Sequence, residues 1–305
     1  IKRGDEVLIQ SLTYVASFQA IAATGAIPVP CDVNPSTLCI NLSDAKKKLS
    51  NRTRAIMPIH YAGKPQQMSE IMKFAKDNGL RIIEDSAHAF GSYYKGKRVG
   101  SFGDITCFSF DGIKNITSGE GGCVVSNDEA IIQKVKDARL LGVQGDSENR
   151  VKRSRSWQFD VAALGWRYHM SDIMAAIGRV QLQKHDTFSE IRKRASQQYT
   201  QHLREIDGIY PIFKNFTDWT PHIYPVKISE HLDRETFRKK LLEMGVETGF
   251  HYLPNHLHSY FQKLYPTALP NTEQIACQLV SLPLHVDLND DDLKYVCDCI
   301  REILP

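Results

Sequence analysis

Apolar and polar positions along the chain follow two rhythms. Short apolar runs bounded by turn residues read as strands: Glu6 to Gln10, Ala26 to Cys31, Ala55 to Ile59, Arg81 to Glu84, Ile105 to Phe110 and Gly122 to Ser126. Stretches with helical spacing fall between them at Ser17 to Ala23, Ser43 to Leu49 and Ser69 to Asp77, the last ended by Asn78-Gly79. Another helix is expected from Asp128. Pro28 and Pro30 put the second strand at a sheet edge, because proline cannot donate to a ladder. Strands alternating with helices predict an α/β unit with a mostly parallel sheet.

Later in the chain the pattern changes. Met170, Ile173, Ile177 and Val180 recur at helical spacing and open a long amphipathic helix running to about Leu203. Ile223 to Ile228 reads as a strand, Arg234 to Met244 as a helix ended by Gly245, and Asp290 to Ile303 as a terminal helix. The expected organisation is a large unit over residues 1–190 and a smaller C-terminal α+β unit over 191–305.

Composition narrows the function classes. The 305 residues are 42% hydrophobic and 24% charged, which is globular chemistry, and with no low-complexity tail or internal repeat neither disorder nor a solenoid is expected. A net charge of +3 is too small to imply a nucleic-acid surface, and the basic run Arg150, Lys152, Arg153, Arg155 reads as a solvated loop. No run approaches the roughly 18 apolar residues of a membrane span. The seven cysteines are odd in number and scattered through apolar runs, as expected of free thiols in a reducing compartment, hence the cytoplasm.

In an open parallel sheet, ligands bind beyond the carboxyl ends of the strands. Thr13-Tyr14 follows the first strand. Asp85-Ser86-Ala87-His88 follows Arg81 to Glu84. Ser109-Phe110-Asp111-Gly112-Ile113-Lys114 and then Gly119-Glu120-Gly121-Gly122 follow Ile105 to Phe108. An acid, a lysine, a hydroxyl and an aromatic ring would share one crevice, which is the donor set of a pyridoxal phosphate site. There, a lysine forms an imine and moves protons, and a carboxylate holds the pyridine nitrogen. Singly, each residue also has a plainer reading: a solvated loop lysine, a turn-capping aspartate, a hydrogen-bonded histidine. Lys114 has no Walker pattern before it, and no Gly-x-Gly-x-x-Gly follows the first strand, which disfavours a nicotinamide enzyme. His251, His256 and His258 suggest a metal, but Pro254 interrupts any helix that would set ligand spacing; no metal site is expected.

Ile83-Glu84-Asp85-Ser86-Ala87-His88-Ala89-Phe90-Gly91, then Lys114-Asn115 and Gly119-Glu120-Gly121-Gly122, resembles the DegT/DnrJ/EryC1/StrS family of nucleotide-sugar aminotransferases. The likeness continues through Leu164-Gly165-Trp166-Arg167-Tyr168-His169-Met170-Ser171-Asp172, Thr248-Gly249-Phe250-His251-Tyr252 and Ser281-Leu282-Pro283-Leu284-His285. It implies fold type I and pyridoxal 5'-phosphate, with the pyridoxamine form as intermediate. Lys114 would be the Schiff-base lysine and Asp85 the partner of the pyridinium nitrogen. His88, where many members have Gln, would touch the cofactor 3-oxygen. Ser109 would bind phosphate and Tyr14 would stack on the ring. Arg167, where many members have Asn, would serve the phosphate of the neighbouring subunit in a homodimer with shared sites. His251, Tyr252 and His285 would face the substrate.

The family's Gly-Thr phosphate loop would lie upstream of Thr13-Tyr14, so the large unit reads as lacking its N-terminal segment. The implied reaction moves an amino group from an amino acid, glutamate, to a keto group of a nucleotide-linked keto-(6-deoxy)sugar. Its place would be surface polysaccharide or glycosylated-metabolite biosynthesis, with no nucleic-acid or membrane partner. Lys114 argues against the dehydrating branch, which carries His there. The alternative is a catalytically weak or non-catalytic binding member of the same fold.

Overall fold

The computed structural model describes residues 1–145, 152 and 159–304. Of the basic run, Arg150, Arg153 and Arg155 lie outside the described residues, and Lys152 is exposed. The chain opens with β1 (Glu6–Gln10), α1 (Val15–Ala23), β2 (Ile27–Cys31), α2 (Leu42–Lys47), β3 (Thr53–Met57), α3 (Met68–Asp77) and β4 (Arg81–Asp85). A small hairpin, β5 (Tyr93–Tyr94) and β6 (Lys97–Arg98), precedes β7 (Ile105–Ser109), β8 (Gly122–Val125) and α4 (Glu129–Ala138). Then come α5 (Asp172–His202), β9 (Ile209–Pro211), β10 (Tyr224–Ile228), α6 (Arg234–Glu243), α7 (Ser259–Leu264), α8 (Pro270–Gln278), β11 (Leu279–Leu282) and α9 (Asp290–Ile303).

The main sheet has the order β2-β1-β3-β4-β7-β8. Its pairs are parallel except β7 with β8. The edge position of β2 follows from its two prolines. Every residue of β1 is buried, as a strand covered on both faces requires. Alternation sends Leu8 towards Met68, Ile71 and Ala75 of α3, while Val7 and Ile9 meet Phe18 and Ile21 of α1. The layers are therefore helix, sheet, helix, with every parallel strand ending on one edge.

Helix starts follow the sequence. Asn41, Asp128, Ser171, Asp233 and Asn289 each accept amide hydrogens of the first turn through their side chains. The start of α8 is capped from afar. Asp32, just past β2, accepts Thr272 N–H and Oγ1 at 2.7 Å each and Asn271 Nδ2 at 2.8 Å.

A three-stranded antiparallel sheet, β11-β10-β9, carries the second core. Val226, Phe237, Ile275, Val280 and Ile300 pack there, and so do Leu12, Val33 and Leu38 from the first forty residues. Helix α5 runs unbroken through residue 190. Its C-terminal half gives Ala195 and Tyr199 to this core, whereas Ile173, Ile177 and Val180 on its N-terminal half are exposed. Among the described residues, no helix is long and apolar enough to cross a membrane. All seven cysteines are free; Cys277 is exposed, and Cys107 and Cys123 are half-buried.

Candidate active site

The carboxyl ends of β1, β4 and β7 open on one cavity of about 480 Å³. Tyr14, Ser17, Asp85, Ser109, Asp111, Lys114, His251 and Tyr252 contribute to its wall. The sequence thus delivers its acid, lysine, hydroxyl and ring to one place because parallel strands share a polarity.

Asp85 is the last residue of β4. Its Oδ2 accepts the Ser17 hydroxyl at 2.5 Å and its Oδ1 accepts the Ala87 amide at 3.1 Å. The carboxylate is held in one orientation by a helix residue and by its own turn. Ser17 is a site residue that sequence reading missed; it sits three residues past Tyr14 on α1, and only the tertiary fold turns it towards β4. Lys114 lies in the loop after β7, where its amide donates to Asp111 O at 3.0 Å. Burial pushes the Lys114 ammonium below the ordinary lysine value, and the carboxylates of Asp111 and Asp85 oppose part of that shift. A lysine depressed in this way has more free amine at neutral pH, which is what a nucleophile needs.

Ser109 ends β7, and its Oγ accepts the Asp111 amide at 3.3 Å. Tyr14 is 58% exposed, and its ring centroid is 5.6 Å from that of Tyr252. Tyr252 reaches back to His88, its hydroxyl 3.1 Å from His88 Nε2. His88 is buried one layer behind, and its Nδ1 has no hydrogen-bond partner. Burial, with Lys114 and His251 nearby, lowers the His88 pKa well below the ordinary histidine value, so its ring is neutral. His251 Nδ1 is 2.8 Å from Ser281 Oγ, and burial and Lys114 lower its pKa to about 4. Tyr61 donates its hydroxyl to the His251 carbonyl.

Besides His88, two expected residues lie off this wall. His285 is exposed and lines a neighbouring cavity of about 670 Å³, which shares His251 with the first. Arg167 is exposed and paired with Leu140 in an isolated antiparallel bridge; it is not part of the 480 Å³ cavity's wall within this chain. Of the three histidines considered for a metal, His251 and His256 are engaged with Ser281 and Glu273. No three metal-ligating side chains converge among the described residues.

The donor set fits pyridoxal phosphate. An amine of lowered basicity and an oriented carboxylate share one cavity, and the buried Nδ1 of His88 lacks a partner. A buried polar atom left unpaired is costly unless a bound group completes it.

Comparison with known proteins agrees. An uncharacterised protein of Methanocaldococcus jannaschii, MJ1066, is 36% identical over 311 aligned residues, spanning all of this chain and 81% of that one. The aminotransferase TlmJ from Streptoalloteichus hindustanus superposes with a TM-score of 0.89 at 32% identity, over 99% of this chain and 80% of that one. The putative sugar aminotransferase Spr1654 from Streptococcus pneumoniae, solved in PMP and PLP forms, superposes in its PMP form with a TM-score of 0.92 at 26% identity, over 99% of this chain and 82% of that one. The fold is that of the fold-type-I aminotransferases, and the enzyme depends on pyridoxal phosphate. The sequence pattern of the DegT/DnrJ/EryC1/StrS aminotransferase family matches residues 1–301, and the chain belongs to that family.

Proposed function

We propose that the protein transfers an amino group from glutamate to the keto group of a nucleotide-linked keto-(6-deoxy)sugar, in the cytoplasm. The observation that carries this reading is the pairing of Lys114, its basicity lowered by burial, with an oriented Asp85 in one cavity. When bound, pyridoxal phosphate supplies an electron sink for charge developing on the substrate.

The chain's residues do the rest. Lys114 Nζ takes the proton from the donor's α-carbon and returns it on the other side of the exchange. Asp85, aligned by Ser17 and the Ala87 amide, would hold the pyridine nitrogen. His88 would serve the cofactor 3-oxygen side. Ser109 would hold phosphate, and Tyr14 would cover the ring. His251, neutral at pH 7 because of its low pKa, faces the substrate with Tyr252, and His285 extends that side. The test is product analysis with glutamate and a panel of nucleotide-linked keto-sugars. Amination of none of them, by a protein that carries the cofactor's visible absorption, would overturn the substrate assignment.

The working unit in this reading is a homodimer. Its support is an exposed apolar surface that a lone chain would leave wet. Leu164 is 82% and Ile173 77% exposed, with Tyr168, Ile177 and Val180 on the same stretch. Arg167 lies within it and would reach the partner's phosphate with its planar fork. Subunit mixing tests this. Lys114→Ala and Arg167→Ala homodimers are each poor enzymes, and mixed dimers regain activity in proportion to heterodimer content. Verified heterodimers without recovery would remove the shared-site model.

A further inference from the structure

Behind the cavity wall sits a buried histidine with no part in the chemistry above. His222, just before β10, is 6% exposed, and its ring centroid is 4.2 Å from that of His88, the planes inclined by 40°. Its Nδ1 is 3.2 Å from Asn115 Oδ1. Asn115, which follows Lys114, is also buried, and its Nδ2 donates towards the carbonyls of Thr220 at 3.4 Å and His88 at 3.5 Å. Both carbonyls need a donor, so the amide nitrogen of Asn115 must face them and its oxygen must face His222. That orientation requires a proton on His222 Nδ1.

The backbone around His222 is equally constrained. His222 N–H donates to Ala62 O at 2.8 Å, and Arg192 Nη1 donates to His222 O at 3.2 Å. Gly63 makes the approach possible, since a Cβ there would lie 2.1 Å from Thr220 O and 3.0 Å from His88 O. Two loops and the start of a strand are thus drawn together around one pair of imidazoles. Burial and the nearby groups His88, Lys114, Arg192 and His251 all lower the His222 pKa well below the ordinary value. Two neutral rings can stack closely at no cost in like-charge repulsion.

We propose that His222, oriented by Asn115, is a positioning residue for the cofactor site: its ring backs His88 and holds that imidazole against Tyr252 of the cavity wall. The inference rests on the reading of His88 as a cofactor contact. It also links two loops functionally. The residue next to the reactive lysine sets the His222 ring, and that ring sets His88, so the lysine loop and the histidine loop are aligned by one chain of contacts.

A double-mutant cycle on cofactor affinity tests it, read by spectral titration of apoprotein with pyridoxal phosphate. The four proteins are wild type, His222→Phe, His88→Ala and the double variant, with a thermal melt of each. His222→Phe keeps a ring and loses the Nδ1–H bond. The expected result is a cofactor Kd raised roughly tenfold, the lower end of what an outer-layer partner contributes. In the His88→Ala background the same change is expected to be within about twofold. If His222→Phe does not fold, His222→Gln, which keeps a donor for Asn115 and loses the ring, carries the same cycle. Equal losses in both backgrounds would mean that His222 is only structural, and the proposal falls. A wild-type Kd in His88→Ala would remove His88 as a cofactor contact, which is a failure of the parent reading and recognisable as such.

Discussion

Two histidine clusters link early and late parts of the chain, and only one of them adjoins the Lys114 cavity. In the first, His88 contacts Tyr252 and His222 beside the Lys114 cavity, and one of its ring nitrogens is unpaired. In the second, Ser11 Oγ is 2.8 Å from His256 Nδ1, and His256 Nε2 is 3.1 Å from Glu273 Oε1. Serine, histidine and acid in that order are the parts of a nucleophilic triad. Yet Ser11 is fully buried, His256 N–H also donates to Ser11 Oγ at 3.0 Å, and both ring nitrogens of His256 are engaged. The second cluster is a clasp between the end of β1 and the segment before α7. The contrast shows that residue types do not identify a site. Adjoining space and unfilled bonding capacity do.

The sharpest way to break this contrast is to remove the lysine. Lys114→Ala should lower transamination by at least about 10³, the range of a positioned acid–base group, with the melting temperature nearly unchanged. Turnover at the wild-type rate would mean that the first cavity is no more catalytic than the clasp. Asp85→Asn comes next. Loss of the carboxylate should reduce kcat by about 10², as for other single electrostatic partners of a transition state, with a smaller change in KM. A change confined to KM would make Asp85 a binding residue.

Acid sharpens the contrast through stability. His88, His222 and His251 bind protons more weakly in the folded chain than in the unfolded one, where the ordinary value is 6.5. The unfolded state therefore takes up more protons as pH falls. The stability these neutral rings confer is complete above about pH 6.5 and is lost progressively below it. For His251, with a pKa of about 4, the loss levels off near pH 4 and is on the order of 2–3 kcal/mol. Denaturant melts of apoprotein between pH 7 and pH 4 measure it, and His251→Asn should flatten the decline. An equal slope in that variant would assign the effect elsewhere.

The smallest effect is expected from the clasp. His256→Ala leaves Ser11 and Glu273 without their shared partner and should cost about 2 kcal/mol of stability, while kcat stays within a few-fold of wild type. A large loss of kcat at an unchanged melting temperature would show that the second cluster is not merely a clasp.

Much of the site was legible in the sequence because its parts end strands. Tyr14, Asp85, Ser109 and Lys114 each fall at or beyond the carboxyl end of a recognisable apolar run, and a parallel sheet gathers such ends. The prolines of β2 gave away the edge in the same local manner. Ser17 was not legible, since its role depends on a contact 68 residues away in the chain. His222 and Asn115 were hidden for the same reason, 107 residues apart. The β5–β6 hairpin is too short to leave a periodicity. The start of α8 carries no polar cap of its own, because Asp32 supplies the cap through space. The smooth pattern of α5 gave no hint that one half would be buried and the other exposed.

The borrowed cap of α8 has a consequence for how the chain acquires its structure. Leu12, Val33 and Leu38 complete a core made mainly from residues beyond 190, and Asp32 satisfies a helix start some 240 residues later. The core beyond residue 190 is completed by the first forty residues, and those residues have no mate until the segments beyond residue 190 have been made. During translation, Leu12, Val33 and Leu38 wait as uncovered apolar surface, the condition under which nascent chains recruit chaperones or associate wrongly. Contacts of such separation also slow folding, because the long loop must be closed before its contacts contribute. A polypeptide cut near residue 190 would therefore give two pieces that fold poorly apart and need each other in solution to recover either core.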